Sequence, residues 1–229
     1  MNQMPHQQTA SPQPGRTSRL SDGAGFLLDA MRARPVARLM LSGLSVLLAV
    51  IGVGMLAYPF ATNLYQGRLQ TKLAIQIESR ELRQAYTAGE VAIGDPLTRI
   101  KIPAINVNTV VVEGTTASAL RAGAGHYPNT PLPGEEGNVA IAGHRTTYGK
   151  PFADIDRLKV GDEIVLETPI GTHTYKVAKD PFVVPNTEWS VISQTPGHNL
   201  TLTSCHPKGS AKQRIIVRAE MVPHEATNA

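Results

Sequence analysis

The chain has 229 residues, room for one ordinary domain and a substantial appendage, with 41% hydrophobic residues and a formal net charge of +4. The charge excess is N-terminal: residues 1–90 hold 9 basic against 5 acidic side chains, whereas residues 91–229 hold 13 of each. A charge-balanced C-terminal part without a Lys/Arg cluster among aromatics excludes a nucleic-acid footprint, and the single cysteine, Cys205, excludes an internal disulfide framework or a multi-cysteine metal site.

Met1 to about Ser21 is rich in Gln, Pro, Ser and Thr and lacks the apolar surface to fold alone. Leu39 to Ala61 contains 23 residues without a charge. As a helix this stretch would be about 34 Å long, against a hydrocarbon core of about 30 Å. It reads as a transmembrane anchor; a signal-peptide apolar region would be about 7 to 15 residues and would be followed by a small-residue cleavage site. Arg32, Arg34 and Arg38 precede it and the next charge is Arg68, so the positive-inside bias puts residues 1–38 in the cytoplasm as a basic tail and the rest of the chain outside. Residues 62–93 form the expected helical linker, with Leu69, Leu73, Ile77 and Leu82 near helical spacing.

From Val91 the pattern turns to short β-branched runs divided by Gly and Pro: Arg99–Ile102, Thr109–Glu113, Asn138–His144, Glu163–Thr168, Thr172–Val184, Asn199–Cys205 and Arg214–Val222. With only two short helical candidates, Ala117–Ala122 and Phe152–Leu158, the segment 94–223 reads as an all-β barrel or sandwich, followed by a short tail over 224–229.

Cys205 and His144 each close an apolar strand, a seat where a rigid sheet fixes a side chain that a loop leaves accessible. An imidazole near a thiol favours the thiolate and can protonate a leaving amine, so the two would suffice for acyl transfer. Spacing alone leaves rivals. His206 adjoins Cys205 but points to the opposite face of an extended strand. His6 and His224 lie in the tails, and His126, His173 and His198 stand in turn-rich or polar stretches where a solvated ring is the commoner outcome. Cys205 itself could be a buried inert thiol. Arg214, opening the last strand, could face the thiolate and hold an oxyanion, or could be an ordinary surface arginine. Asp154, Asp156, Asp162 and Glu163 lack the glycine-turn spacing of a calcium loop and read as a solvated turn, so no metal and no cofactor is expected.

The run Thr201-Leu202-Thr203-Ser204-Cys205, with a histidine upstream and an arginine downstream, resembles the sortase signature T-L-x-T-C; Ser204 stands where the family usually has threonine. Gly125-His126-Tyr127-Pro128, Pro133-Gly134 and the run NVAIAGHRTTYG over Asn138–Gly149 look like the class E sortases of actinobacteria. The resemblance implies an eight-stranded β-barrel with short helices and a membrane-anchored cysteine transpeptidase. Its nucleophile would be Cys205, its proton donor His144 and its electrostatic partner Arg214. It implies Tyr127, Thr203 and Ser204 as substrate-binding residues, Tyr127 being tied to preference for LAXTG over LPXTG. The implied partners are secreted proteins bearing such C-terminal signals and an amine of a peptidoglycan precursor. A pilin polymerase fits less well, because Asp95-Pro96 is followed by Leu97 instead of an aromatic. Two other readings stay open: a cell-wall cysteine hydrolase, although papain-like enzymes order Cys before His, and a noncatalytic membrane-tethered domain that binds wall polymers.

Overall fold

The computed structural model describes residues 35–223, so most of the expected cytoplasmic tail, including Arg32 and Arg34, and the C-terminal tail lie outside the described residues. The chain divides into two compact units at Leu56/Ala57. In the first unit the described residues are one end of a helix, α1, which spans Pro35–Gln76 in all. It is long and apolar enough to cross a membrane, and none of its most apolar stretch is buried. The helix does not stop at Ala61, where the anchor was expected to end; it continues unbroken for four more turns, and these belong to the second unit.

Within that unit α1 is followed by α2 (Arg80–Ala88), then β1 (Pro96–Ile102), β2 (Val107–Glu113), α3 (Ala117–Ala122), β3 (Ala124–His126), β4 (Gly137–Ala142), β5 (Glu163–Thr168), β6 (Gly171–Pro185), β7 (His198–His206) and β8 (Gln213–Met221). Local chemistry sets the helix ends. Ser79 caps α2 by accepting from the Leu82 amide, and Gly89 ends it in the left-handed conformation that a glycine adopts without steric cost. Thr116 caps α3 in the same way, accepting from Ala119. The expected helix over Phe152–Leu158 is only a 3-10 turn, Ile155–Arg157.

The eight strands close into a barrel in the order β1-β2-β3-β4-β7-β8-β6-β5. Two neighbouring pairs are parallel, β2 with β3 and β4 with β7. The strand absent from the sequence reading is β3, three residues long and one of them glycine. Leu200 and Leu202 of β7, Val139 and Ile141 of β4, and Ile215 and Val217 of β8 point into the barrel core with Phe152, Ile155 and Tyr175. The alternate residues of these strands therefore face outward.

Strand β2 shows why a run of three valines need not alternate with polar residues. Val111 faces the barrel core, while Val110 and Val112 face Leu73 of α1, Ile77 just past its end, Leu82 of α2 and Ala119 of α3. Each such buried side chain contributes about 1.5–3 kcal/mol of hydrophobic stabilisation. Gln70 completes the docking. Its amide nitrogen donates to the carbonyls of Val110 (3.1 Å) and Ala122 (2.7 Å), and its oxygen accepts from the Val110 amide (2.7 Å).

Candidate active site

Cys205 is the second-last residue of β7, and its antiparallel partner across the ladder is Arg214, second residue of β8. Directly opposed residues project to the same side with Cβ atoms about 5 Å apart. On the other flank of β7, β4 runs parallel, with Ala142 opposite Thr203. The ladder persists one residue beyond β4, because the Gly143 amide donates to the Thr203 carbonyl at 3.1 Å. His144 and Cys205 each lie two residues past the same register pair, but β4 ends at Ala142 and His144 stands in the loop that follows; the β7/β8 ladder brings Cys205 and Arg214 together, and the histidine loop leaves β4 at the same end of the sheet. His144 and Cys205 are both half-buried. Burial pushes the His144 imidazole below the ordinary histidine value.

The guanidinium of Arg214 is tethered by its own loop: Nη1 donates to the carbonyls of Ala211 (2.9 Å) and Gln213 (3.0 Å). Tyr127, which follows β3, reaches over β4 to place its hydroxyl 3.2 Å from that of Thr203. Thr203 is outward-facing but only 3% exposed. Ser204 is inward-facing and equally buried, and its hydroxyl donates to the Gly143 carbonyl at 2.7 Å. That places Ser204 under the histidine strand and not on a surface where a peptide would lie. His206 has the opposite parity to Cys205, as strand geometry demands.

His126 departs from the expectation of a solvated ring. It is buried in β3, with Nδ1 2.8 Å from Glu113 Oε2 and Nε2 3.0 Å from the Pro131 carbonyl. Glu113, brought in by the β2/β3 pairing, and the nearby Pro131 carbonyl and Thr130 hydroxyl (2.9 Å from Nε2) make that burial possible.

Several residues around the site carried no signal in the sequence. Arg145, adjacent to His144, is buried and makes three bonds: Nε to the Ala153 carbonyl (2.8 Å), Nη1 to the Cys205 carbonyl (3.2 Å) and Nη2 to Asp156 Oδ1 (2.8 Å). The His144 carbonyl in turn accepts from the Phe152 amide. Tyr148 lays its ring 5.4 Å from that of His144, and Arg121 of α3 lies 6.0 Å from the Tyr148 ring centre. Further along the same face, Arg218 donates to Thr201 Oγ1 (2.8 Å), which donates to Asn138 Oδ1 (2.6 Å). Arg218 is half-buried, which lowers its pKa. Of the acidic residues grouped by sequence, Asp154 pairs with Lys208, Asp156 with Arg145, and Asp162 accepts from the Lys159 amide.

A closed mixed barrel that presents a half-buried thiol, an imidazole and a guanidinium on one face has the groups for acyl transfer through a thioester. A family model for the sortase domain matches residues 100–222, more than half of the chain, and the chain belongs to the sortase family. It is 34% identical over 152 residues to Sortase SrtE1 of Streptomyces coelicolor, covering 58% of this chain and 42% of that protein. It is 33% identical over 126 residues to Sortase D of Bacillus subtilis, covering 54% and 62%. The matches thus span about half the length of these relatives. Among solved structures, sortase E from Streptomyces avermitilis superposes with a TM-score of 0.52 at 38% identity, covering 57% of this chain and 90% of that one. A Clostridium perfringens Sortase D5 transpeptidase gives 0.60 at 33% identity, covering 69% and 98%.

Proposed function

We propose that the chain is a membrane-anchored cysteine transpeptidase that cleaves a C-terminal sorting signal of the LAXTG or LPXTG type between Thr and Gly and transfers the protein to a cell-wall amine. The observation that carries this reading is the β7/β8 register, which pairs Cys205 with Arg214; the exit of the His144 loop from β4 at the same end of the sheet supports it. The Cys205 thiolate attacks the threonine carbonyl, and the C–N bond to glycine breaks as His144 protonates the departing amine. The thioester then passes its acyl group to an incoming amine, whose proton returns to His144. Arg214 faces the carbonyl oxygen as charge develops on it. Its tether to the loop carbonyls supports a guanidinium held in one place instead of a mobile one.

Burial disfavours the protonated His144 ring relative to a solvated histidine. Tyr127 lines the peptide groove beside Thr203, which supports a contact to the second residue of the signal, the alanine or proline that distinguishes LAXTG from LPXTG. Thr203 lies on the groove side beside Tyr127, and Ser204 supports the site from beneath. A solved relative, Sortase E1 from Streptomyces coelicolor, holds a tripeptide in its active site, which favours a peptide ligand here. The amine of a peptidoglycan precursor is the acceptor in this reading. The α1 helix anchors the enzyme beside it, with the N-terminus in the cytoplasm and the barrel outside.

The test is direct. The full chain in detergent micelles, given an LAXTG peptide and a glycine amine, should yield Thr-linked product, and Cys205→Ala should abolish it. Turnover by the alanine variant at the wild-type rate would overturn the mechanism.

A further inference from the structure

The loop that carries His144 is gripped by the part of α1 that lies in the barrel's own unit. Tyr58 Oη is 3.4 Å from Tyr148 Oη, and Asn63 Oδ1 accepts from the Gly149 amide at 3.2 Å. Gln66 approaches Gly149 so closely that a Cβ there would meet its side-chain amide. The loop also adopts an unfavourable backbone to meet the helix: Tyr148, Gly149 and Lys150 have φ of 49°, 69° and 40°, in the left-handed region that only glycine enters freely. Strain of this kind persists only where surrounding contacts determine it, and it clusters at functional sites.

We infer that Tyr148 is a positioning residue for His144, and that Tyr58 and Asn63 of α1 hold Tyr148 in place, making the last turn of the anchor and the helix just beyond it a working part of the catalytic unit. Three arguments support this. The Tyr148 ring is the aromatic partner of the His144 ring. Its hydroxyl and the next amide are the two points that α1 holds. Arg121 lies over the same ring, 6.0 Å from its centre. A histidine that must first donate a proton and then accept one works only at a fixed distance from sulfur and amine. His144 lies beyond the end of β4, where no sheet ladder orients its ring. A tyrosine clamped to a long helix supplies that orientation.

This inference deepens the transpeptidase reading and rests on it for the role of His144, so its test needs a readout that does not depend on turnover. The His144 ring can be titrated by NMR in the full chain in micelles, its signal assigned by loss in His144→Gln. The titratable group against that ring is Tyr148; Arg121 of α3 and Tyr58 of α1 touch Tyr148, and Cys205 of β7 and Arg214 of β8 are the groups on the neighbouring strand ends. Arg145 is turned away to Asp156. Tyr148→Ala opens the ring to water and should move its midpoint up toward the ordinary histidine value, because burial is what lowers it. The same variant should lower kcat about tenfold while KM changes less than about twofold, the mark of lost transition-state geometry. Tyr148→Phe restores the ring and should recover most of the lost rate.

Asn63→Ala removes only an exposed acceptor on the helix and keeps the test open if Tyr148→Ala perturbs folding; it should shift both readouts in the same direction, by less. Because both residues act through one loop, the double variant should be no more than about twofold slower than Tyr148→Ala. An unmoved His144 titration in both Tyr148→Ala and Asn63→Ala would overturn the inference, as would fully multiplicative rate losses. If Cys205→Ala proved active, the transpeptidase reading would fall, while the titration would still decide whether Tyr148 and α1 place the ring.

Discussion

Arg145 offers the sharpest test of how the site is built, because one side chain joins the histidine loop, the cysteine strand and the 3-10 turn. Arg145→Met keeps the length and apolar stem but removes every donor. The carbonyls of Ala153 and Cys205 then lose charge-assisted partners at a position whose side chain is 2% exposed. Each such loss costs about 1.5–3 kcal/mol. Asp156 is 38% exposed and regains water, so its ion pair adds at most about 1 kcal/mol. The sum is about 3–7 kcal/mol, a large share of a domain stability of roughly 5–15 kcal/mol. At about 2–4 °C per kcal/mol for a unit of this size, the melting temperature should fall by at least about 6 °C. Arg145→Lys keeps the charge but cannot reach three acceptors in one plane, and should lose about half as much. Thermal melting followed by circular dichroism, with peptide turnover measured on the same samples, is the assay. A methionine variant that melts within about 2 °C of the parent with unchanged turnover would refute the reasoning.

Three further outcomes follow from the same geometry. His144 has a folded-state pKa depressed below the unfolded value of about 6.5, so the unfolded chain takes up its proton first on acidification; its contribution is intact above that pH and lost as pH falls through the folded value. His144→Gln should therefore melt with a shallower pH dependence between about pH 7 and 5 than the parent, and equal slopes would contradict the burial argument. Glu113→Ala strips His126 Nδ1 of its carboxylate in a buried site and should cost about 3 kcal/mol in chemical denaturation, with Glu113→Gln recovering much of it. Arg218→Met removes a half-buried cation whose bonded partner is a single hydroxyl. It should change stability by no more than about 1 kcal/mol while altering KM for the peptide, and a large melting shift with unchanged KM would mark it as structural.

The strands that alternate or run continuously apolar were legible because each buries a face, and a pattern of period two survives in any window. β3 was not: three residues with a central glycine carry no periodicity, and its place is set by pairing with β2 and β4 on either side. Cys205 and Arg214 could be nominated from strand ends, yet that they oppose each other depends on the register of β7 and β8, which no local signal contains. The misjudged His126 shows the limit most clearly. Its surroundings in sequence are polar and turn-rich, but Glu113 arrives through the β2/β3 pairing and the turn itself folds the Pro131 carbonyl onto the ring. The length of α1 was underestimated for a related reason. An anchor ends where apolar residues end, but helix continuation is decided by what Gln70, Leu73 and Ile77 find to pack against.

These failures have a common physical source, and it bears on how the site works. The sheet supplies the parts that need one fixed geometry, Cys205 and Arg214, from two strands locked by a ladder. The histidine comes from a loop, and a loop has no ladder. Its orientation has to be assembled from long-range contacts: Ser204 beneath the Gly143 carbonyl, Arg145 between the Cys205 carbonyl and Asp156, Phe152 on the His144 carbonyl, and Tyr148 against the ring with α1 behind it. Each left-handed non-glycine residue in that loop costs about 1–2 kcal/mol, so the contacts that hold Tyr148 and Lys150 must outweigh roughly 2–4 kcal/mol of strain. An isolated barrel ending its N-terminus at β1 would keep the cysteine and arginine in register through the β7/β8 ladder. It would lose the helix-borne share of that compensation, and the histidine is the group whose placement would suffer first.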